Sequence, residues 1–348
     1  MAEFERHAAS ASRPERLATV LSGSYGLIQS LAVLIALAVA ITLINPAFLS
    51  WVNITNLMAQ MAPMLIVAAG MTVVMIAGEF DISIGSAVAL TAAICAVVTT
   101  QYGGLAGVAL SMVVGPAIGI INGLIVTKGK IPSFIATLGT MMMARSLAFV
   151  VTKGKVISGL PDSFTGFGGA RLAGIPVSFV LAVGVFIIGW VLLTRSPFGK
   201  KVYAVGANHQ VARLSGISVD AVKIAAFVLV GLTASIAGNV LLARIGAIQA
   251  DTARGLEFEV IAAVVIGGTS LTGGHGNILR TIVGVFVIVL IRNFMNLARI
   301  DLFWQDFATG LIIIIAVLLD VLQKRIGARL ATGARRAATS VSPANQMK

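Results

Sequence analysis

Charge is what this chain has least of. Only 11% of its 348 residues are Asp, Glu, Lys or Arg, against about a quarter in a soluble domain. With 58% apolar residues and a mean hydropathy of +1.00, a water-soluble fold would have too few polar side chains to cover its outside. Lipid removes that requirement, because it is itself an apolar solvent. The composition therefore points to a membrane protein.

Other absences narrow the chemistry. Cys95 is the single cysteine, and it lies in an apolar run, so no intrachain disulfide can form. His7, His209 and His275 stand apart from one another and from any second likely ligand, which argues against a metal site. No G-x-x-x-x-G-K-[S/T] occurs: the Gly-Lys pairs at 129–130, 154–155 and 199–200 lack the glycine five positions earlier. A P-loop ATPase is thereby excluded from this chain, and no cofactor is expected in it. Neither H-E-x-x-H nor G-x-S-x-G is present, so an intramembrane enzyme is not expected.

The basic excess is not a nucleic-acid signature. The formal net charge is +12, but most basic residues lie between or beyond the apolar runs, as the positive-inside rule requires. No zinc-finger or other nucleic-acid motif accompanies them.

A transmembrane helix needs about 20 largely apolar residues. Eight clear runs meet this, at 26–45, 56–77, 84–100, 103–126, 174–194, 223–243, 278–297 and 303–322. Two weaker runs, 131–151 with Arg145 and 257–272 with Glu257 and Glu259, raise the total to ten. The expected fold is all-α, a bundle of about ten transmembrane helices joined in places by short broken-helix loops. The first run lacks the basic flank and short core of a cleavable signal and is read as a retained span.

Charge sets the sidedness. Lys324, Arg325, Arg329, Arg335, Arg336 and Lys348 follow the last run without an acidic residue. The loop 195–222 holds Arg195, Lys200, Lys201 and Arg213 against Asp220 alone. Both are expected in the cytoplasm, and ten spans put both termini and this loop on the same side. The division is a cytoplasmic segment 1–25, a membrane domain 26–322 and a basic tail 323–348. The tail has no periodicity from about 331 onward and is expected to be disordered. Trp51 and Trp304 fall at outer span ends and Trp190 near an inner one, where amphipathic rings are favoured.

Small and broken segments draw attention next. Gly115, Gly119 and Gly123 recur every four residues, a stripe that lets helix backbones approach closely in lipid. Pro116 beside it is expected to kink the helix. The loop Gly78–Gly85 carries Glu79 and Asp81, which at the bilayer centre would each cost at least ~3 kcal/mol. Asp81 or Ser83 could cap the following helix, or the loop could line or gate a solute path. A glycine-rich loop at 265–276 stands six spans later in a corresponding position, without residue-by-residue match. In the loop 195–222, Gly206 leads to Asn208, a suitable N-cap, and Gly216 suits the left-handed position after a short helix. Val211 and Leu214, at i and i+3, give that helix a small apolar face. It could dock into a soluble partner or lie on the bilayer.

These residues resemble a known family, the permease subunits of ribose-type ABC sugar importers, from about Asn45 to Asp320. The resemblance is carried by the block 45–50 (NPAFLS), by Gln60-Met61-Ala62-Pro63, by the 78–85 loop, and by the blocks 131–140 and 157–161. Its strongest blocks are 204–208 (AVGAN), 212–217 (ARLSGI) and 261–274. One departure is Glu79-Phe80, where the family commonly has Gly-Ile; it adds a second carboxylate and puts the substrate in doubt.

The resemblance implies a multi-pass protein of the bacterial inner membrane, working with a second permease subunit, identical or not. It also implies a cytoplasmic ABC ATPase that binds ATP and Mg, and an extracytoplasmic solute-binding protein. The segment 204–217 becomes the coupling helix, with Gly206, Asn208, Val211, Arg213, Leu214 and Gly216 as its residues. Polarity within apolar runs nominates Glu79, Asp81, Ser83, Thr140, Asn239 and Asp306 for the translocation path. The alternatives are an ABC permease for branched-chain amino acids or nucleosides, and an ion-coupled secondary transporter.

Overall fold

Helices dominate the computed structural model, which describes residues 34–301, 303–312, 314–315 and 318. The expectations for 1–25, for the first part of the run 26–45, for the end of 303–322 and for the tail 323–348 lie outside the described residues. In chain order come α1 (Leu34–Ile44), a short 3₁₀ turn (Pro46–Leu49), α2 (Trp51–Ile76), α3 (Ile84–Tyr102), α4 (Gly104–Thr127) and α5 (Ser133–Thr152). Then follow α6 (Asp162–Gly169), a two-residue hairpin of β1 (Arg171–Leu172) and β2 (Ile175–Pro176), α7 (Val177–Arg195), α8 (Pro197–Ala207) and α9 (His209–Leu214). The chain continues as α10 (Val219–Ile245), α11 (Leu256–Ile266), α12 (Ile278–Leu297) and α13, with described helical residues at 303–312.

Among the described residues, seven helices are long and apolar enough to cross a membrane: α2, α3, α4, α5, α7, α10 and α12. The weaker run 131–151 is thus a full-length helix. The run 257–272 is different. Its helix α11 has 11 residues, about 16 Å at 1.5 Å per residue, roughly half of a ~30 Å hydrocarbon core. It stops because Gly267 packs against the α12 backbone, where a Cβ would lie 2.8 Å from Thr281 Cα, and because Gly268 takes φ +83°. Apolar character continued past the helix, so the run alone did not show where the helix breaks.

The core is built around α2, in which every residue from Met61 to Ile76 is buried. Ser50 caps its start by accepting from the Asn53 amide at 3.3 Å. Its few polar side chains are satisfied internally: Thr72 bonds the Ala68 carbonyl at 2.7 Å and meets Thr281 of α12 at 3.0 Å. By contrast α5 turns small residues inward (Ala136, Thr140, Ala144, Ala148) and leaves Phe134, Met142 and Val150 exposed. Large apolar side chains facing out are what a lipid or subunit contact requires.

The glycine stripe of α4 lies against α10. A Cβ on Gly119 would sit 2.7 Å from the Phe227 carbonyl carbon, and one on Gly123 2.9 Å from Ile224 Cα. Ser235 donates to the Ser111 carbonyl at 2.7 Å across the same seam. The stripe therefore packs helix on helix. Gly119→Val should destabilise the protein by about 3 kcal/mol through overpacking, read as a lower melting temperature in detergent. Gly184→Val, which meets nothing within 4 Å, should leave that temperature unchanged.

Two ends are distinguishable. At one, Trp51 packs 3.3 Å from where a Cβ on Gly174 would be, and Ile157 pairs with Ile248 in an isolated bridge. The other end gathers the loops 77–83, 128–132, 195–218 and 267–277.

Candidate functional site

At that second end three backbones meet without side chains between them. Gly274 donates its amide to the Ile76 carbonyl at 2.9 Å. A Cβ on Gly206 would collide with that same carbonyl and lie 2.5 Å from the Gly274 nitrogen. A Cβ on Gly273 would sit 2.6 Å from Gly78 Cα, and one on Gly274 2.6 Å from Ala207 Cα. The turns after α2, α8 and α11 are thus one junction. Tyr203 of α8 donates its hydroxyl to the Gly276 carbonyl at 2.9 Å. Burial raises the Tyr203 phenol above its usual range, which keeps it a neutral donor.

From this junction α9 projects outward. Asn208 caps it, its Oδ1 accepting from the amides of Gln210 at 2.9 Å and Val211 at 3.1 Å. Val211 is 57% and Leu214 89% exposed, so the apolar face is uncovered. Gly216 follows with φ +80°. Arg213 lies 3.6 Å from Asp220, which also pairs with Lys128 at 2.7 Å. These exposed pairs orient the end of α9 toward α10 and α4 more than they stabilise it. Gly216→Val would force a β-branched residue into left-handed backbone, costing about 1–2 kcal/mol. Nothing lies within 4 Å of it, so membrane insertion should persist, read as an unchanged yield of detergent-extracted protein.

Next to the junction, the loop 77–83 holds its two carboxylates apart. Glu79 forms an ion pair with Lys223 in the first turns of α10. Asp81 accepts from the Ser83 amide at 2.9 Å and from its hydroxyl, while Asn122 of α4 donates to Asp81 at 3.3 Å and to Ser83 at 2.9 Å. Ser83 stands at the N-cap position of α3 but makes no side-chain cap bond, its hydroxyl being committed to Asp81. The loop amides of Phe80 and Ile82 donate to Ser133 at 3.2 Å and Thr137 at 3.1 Å on α5. The carboxylate of Asp81, the Ser83 hydroxyl and the loop amides here are partnered, as low-dielectric surroundings demand, while Asn122 Oδ1 has no hydrogen-bond partner among the described residues.

A separate cavity of about 1300 Å³ opens between α5, α11, α12, α13 and the segment 251–255. Ligand sites for small molecules commonly run about 300–1,000 Å³. Its walls are charged. Arg292 of α12 pairs with Glu259 of α11 at 2.5 Å and approaches Asp306 of α13 at 3.8 Å. Arg145 of α5 donates to the carbonyls of Ala250 at 2.7 Å and Thr252 at 2.8 Å. Glu257, in the first turn of α11, packs against Gly85 of α3, where no side chain would fit.

A family model described as the branched-chain amino acid transport system / permease component matches residues 53–317. The chain belongs to this family of membrane permeases. It is 40% identical to the ribose import permease protein of Bacillus subtilis (strain 168) over 290 residues, covering 82% of this chain and 90% of that protein. It is 36% identical to the L-arabinose transport system permease protein of Escherichia coli (strain K12), covering 85% and 90%. The autoinducer 2 import system permease protein of Klebsiella pneumoniae is 35% identical, covering 82% and 84%. No solved structure matches.

In the permease, the six polar residues nominated from sequence do not converge. Asp306 lines the large cavity. Glu79, Asp81 and Ser83 belong to the loop beside the junction. Thr140 is buried, bonded to the carbonyls of Thr137 at 3.1 Å and Ala136 at 3.3 Å. Asn239 accepts from Ser111 at 2.9 Å and borders a smaller cavity of about 300 Å³ between α4, α6, α7 and α10. Sequence reasoning passed over Arg145, Glu257, Glu259 and Arg292 as wall residues. The signal was present for three of them, since Arg145, Glu257 and Glu259 are the charges that weakened two apolar runs.

Proposed function

We propose that the permease forms the translocation path of an ABC importer for a monosaccharide or related small polar solute, powered by a separate ATPase that holds ATP and Mg. The observation that carries this is the short helix α9. Its Val211 and Leu214 are exposed among the described residues, and its base is braced on the junction of Gly78, Gly206 and Gly274. A small apolar knob on a rigid base suits a groove in a soluble partner. The basic loop around it favours the cytoplasm, which orients the protein in the bacterial inner membrane with both termini cytoplasmic.

An extracytoplasmic solute-binding protein delivers substrate to the opposite end. A second permease subunit, identical or related, closes the open side of the large cavity, and the exposed apolar residues of α4 and α7 face lipid. The relatives named for ribose and L-arabinose support a monosaccharide as the solute class. Motion of the ATPase dimer reaches the helices through the junction, alternately opening the cavity to each side. Access need not mean tight binding, because a path that holds its solute strongly also releases it slowly.

The test is reconstitution in proteoliposomes with the ATPase and binding protein of the same importer. Labelled pentoses and hexoses should enter only with ATP and binding protein present. Uptake driven by an ion gradient without ATPase would overturn the proposal.

A further inference from the structure

A pocket of about 290 Å³ opens at the end opposite α9, between α2, the end of α6, the hairpin and the last turn of α10. Two arginines line it, Arg171 of β1 and Arg244 of α10, and no acidic residue does. Arg171 is exposed and Arg244 partly buried, yet neither guanidinium forms an ion pair or hydrogen bond among the described residues. By contrast Arg145 is committed to two carbonyls, Lys223 to Glu79 and Arg292 to Glu259. Local packing sets Arg244 in place. A Cβ on Gly168 would collide with the Ala243 carbonyl, so the end of α6 rests directly on α10 and leaves the next side chain at the pocket wall. Asn56 and Gln60, one turn apart on α2, add exposed amides with no partner among the described residues.

A guanidinium partly withdrawn from water and left unpaired is costly, and an oxyanion relieves that cost through short, charge-assisted bonds. Amide donors beside two guanidinium groups suit a carboxylate better than a neutral solute. The floor of the pocket is α2, which the rest of the bundle surrounds, so the opening faces water rather than acyl chains. Beside it Trp51, Val52 and Leu172 are exposed, and Trp51 packs against the hairpin at Gly174. Tryptophan and arginine are among the residues that most often anchor a protein–protein contact.

We propose that Arg171 and Arg244, with Asn56 and Gln60, receive a carboxylate side chain of the extracytoplasmic binding protein as it docks. This rests on the importer reading above, which places this end outside.

The experiment measures binding of the importer's own binding protein to permease–ATPase complexes in phosphatidylcholine nanodiscs, for wild type, Arg171→Gln, Arg244→Gln and Arg244→Lys. Each glutamine variant should weaken binding by about tenfold, the size of one hydrogen bond to a charged group, and flatten its dependence on salt. Arg244→Lys should keep part of the affinity, because it retains the charge and loses the planar fork. Melting temperatures taken alongside report folding, and if Arg244→Gln is unstable the exposed position, Arg171→Gln, decides alone. Wild-type affinity in Arg171→Gln and in folded Arg244→Gln would overturn the proposal. Unchanged docking, with inorganic phosphate stabilising wild type but not the glutamine variants, would assign the pocket to a free anion and overturn it too. Variant effects that appear only when phosphatidylglycerol is added to the discs would assign it to lipid, with the same consequence. Wild-type importer that takes up sugar without any binding protein would instead sink the importer reading.

Discussion

Replacing Gly206 with valine is expected to abolish ATP-driven uptake. The Cβ and two methyl groups of a valine side chain would have to enter a space already held by the Ile76 carbonyl and the Gly274 amide, the latter 2.5 Å from the position of Cβ. Backbone cannot rotate aside as a side chain can. Either the Gly274–Ile76 hydrogen bond breaks or α8 lifts off the junction. Overpacking of this kind costs about 1–3 kcal/mol and occasionally more, and the lost buried hydrogen bond adds about 1 kcal/mol. The melting temperature in detergent should fall by several degrees. Uptake should fall below a hundredth of wild type, because the segment carrying α9 is displaced. Gly206→Ala should sit between the two. Wild-type uptake by the valine variant would show that the junction is not needed for transport.

Leu214→Asp, combined with Val211→Asp, should separate the permease from its ATPase without harming the permease itself. Both side chains are mostly exposed, so their replacement removes little packing within the chain. In a partner's groove, however, two carboxylates would lose their water without gaining a partner, at a cost of several kcal/mol. Affinity should drop by at least about a hundredfold on the scale of 1.4 kcal/mol per decade. The measurement is co-purification of ATPase with tagged permease, beside the melting temperature of the permease alone. Retained ATPase would remove α9 from the coupling scheme. A lowered melting temperature would show that the face is covered within the chain.

Much of the bundle was legible because its signals are local. The stripe Gly115, Gly119, Gly123 needs only a four-residue repeat to be read as a contact face, and α10 does lie against it. Asn208 before a short apolar pattern announces a cap, and two backbone amides do point at its side chain. The half-length α11 was not legible, because apolar residues continue beyond Ile266 and the break depends on how closely Gly267 approaches Thr281. Lys223 and Asn122 were invisible as partners of Glu79 and Asp81, being 144 and 41 residues away. The same holds for the meeting of Gly78, Gly206 and Gly274. Each glycine reads as a turn by itself, and only tertiary structure makes them neighbours. The carboxylates of α11 were noticed as blemishes in an apolar run, when they are cavity wall.

The burial of α2 also bears on how the protein is made. A helix this greasy enters the bilayer early, surrounded by acyl chains, yet in the finished protein residues 61–76 touch none of them. Assembly must therefore strip a lipid annulus from one rod while later helices are still arriving. Until α10 and α12 have been synthesised, that rod has only temporary company. Truncated chains ending before Val219 should accordingly be recognised as unfinished and degraded by membrane proteases.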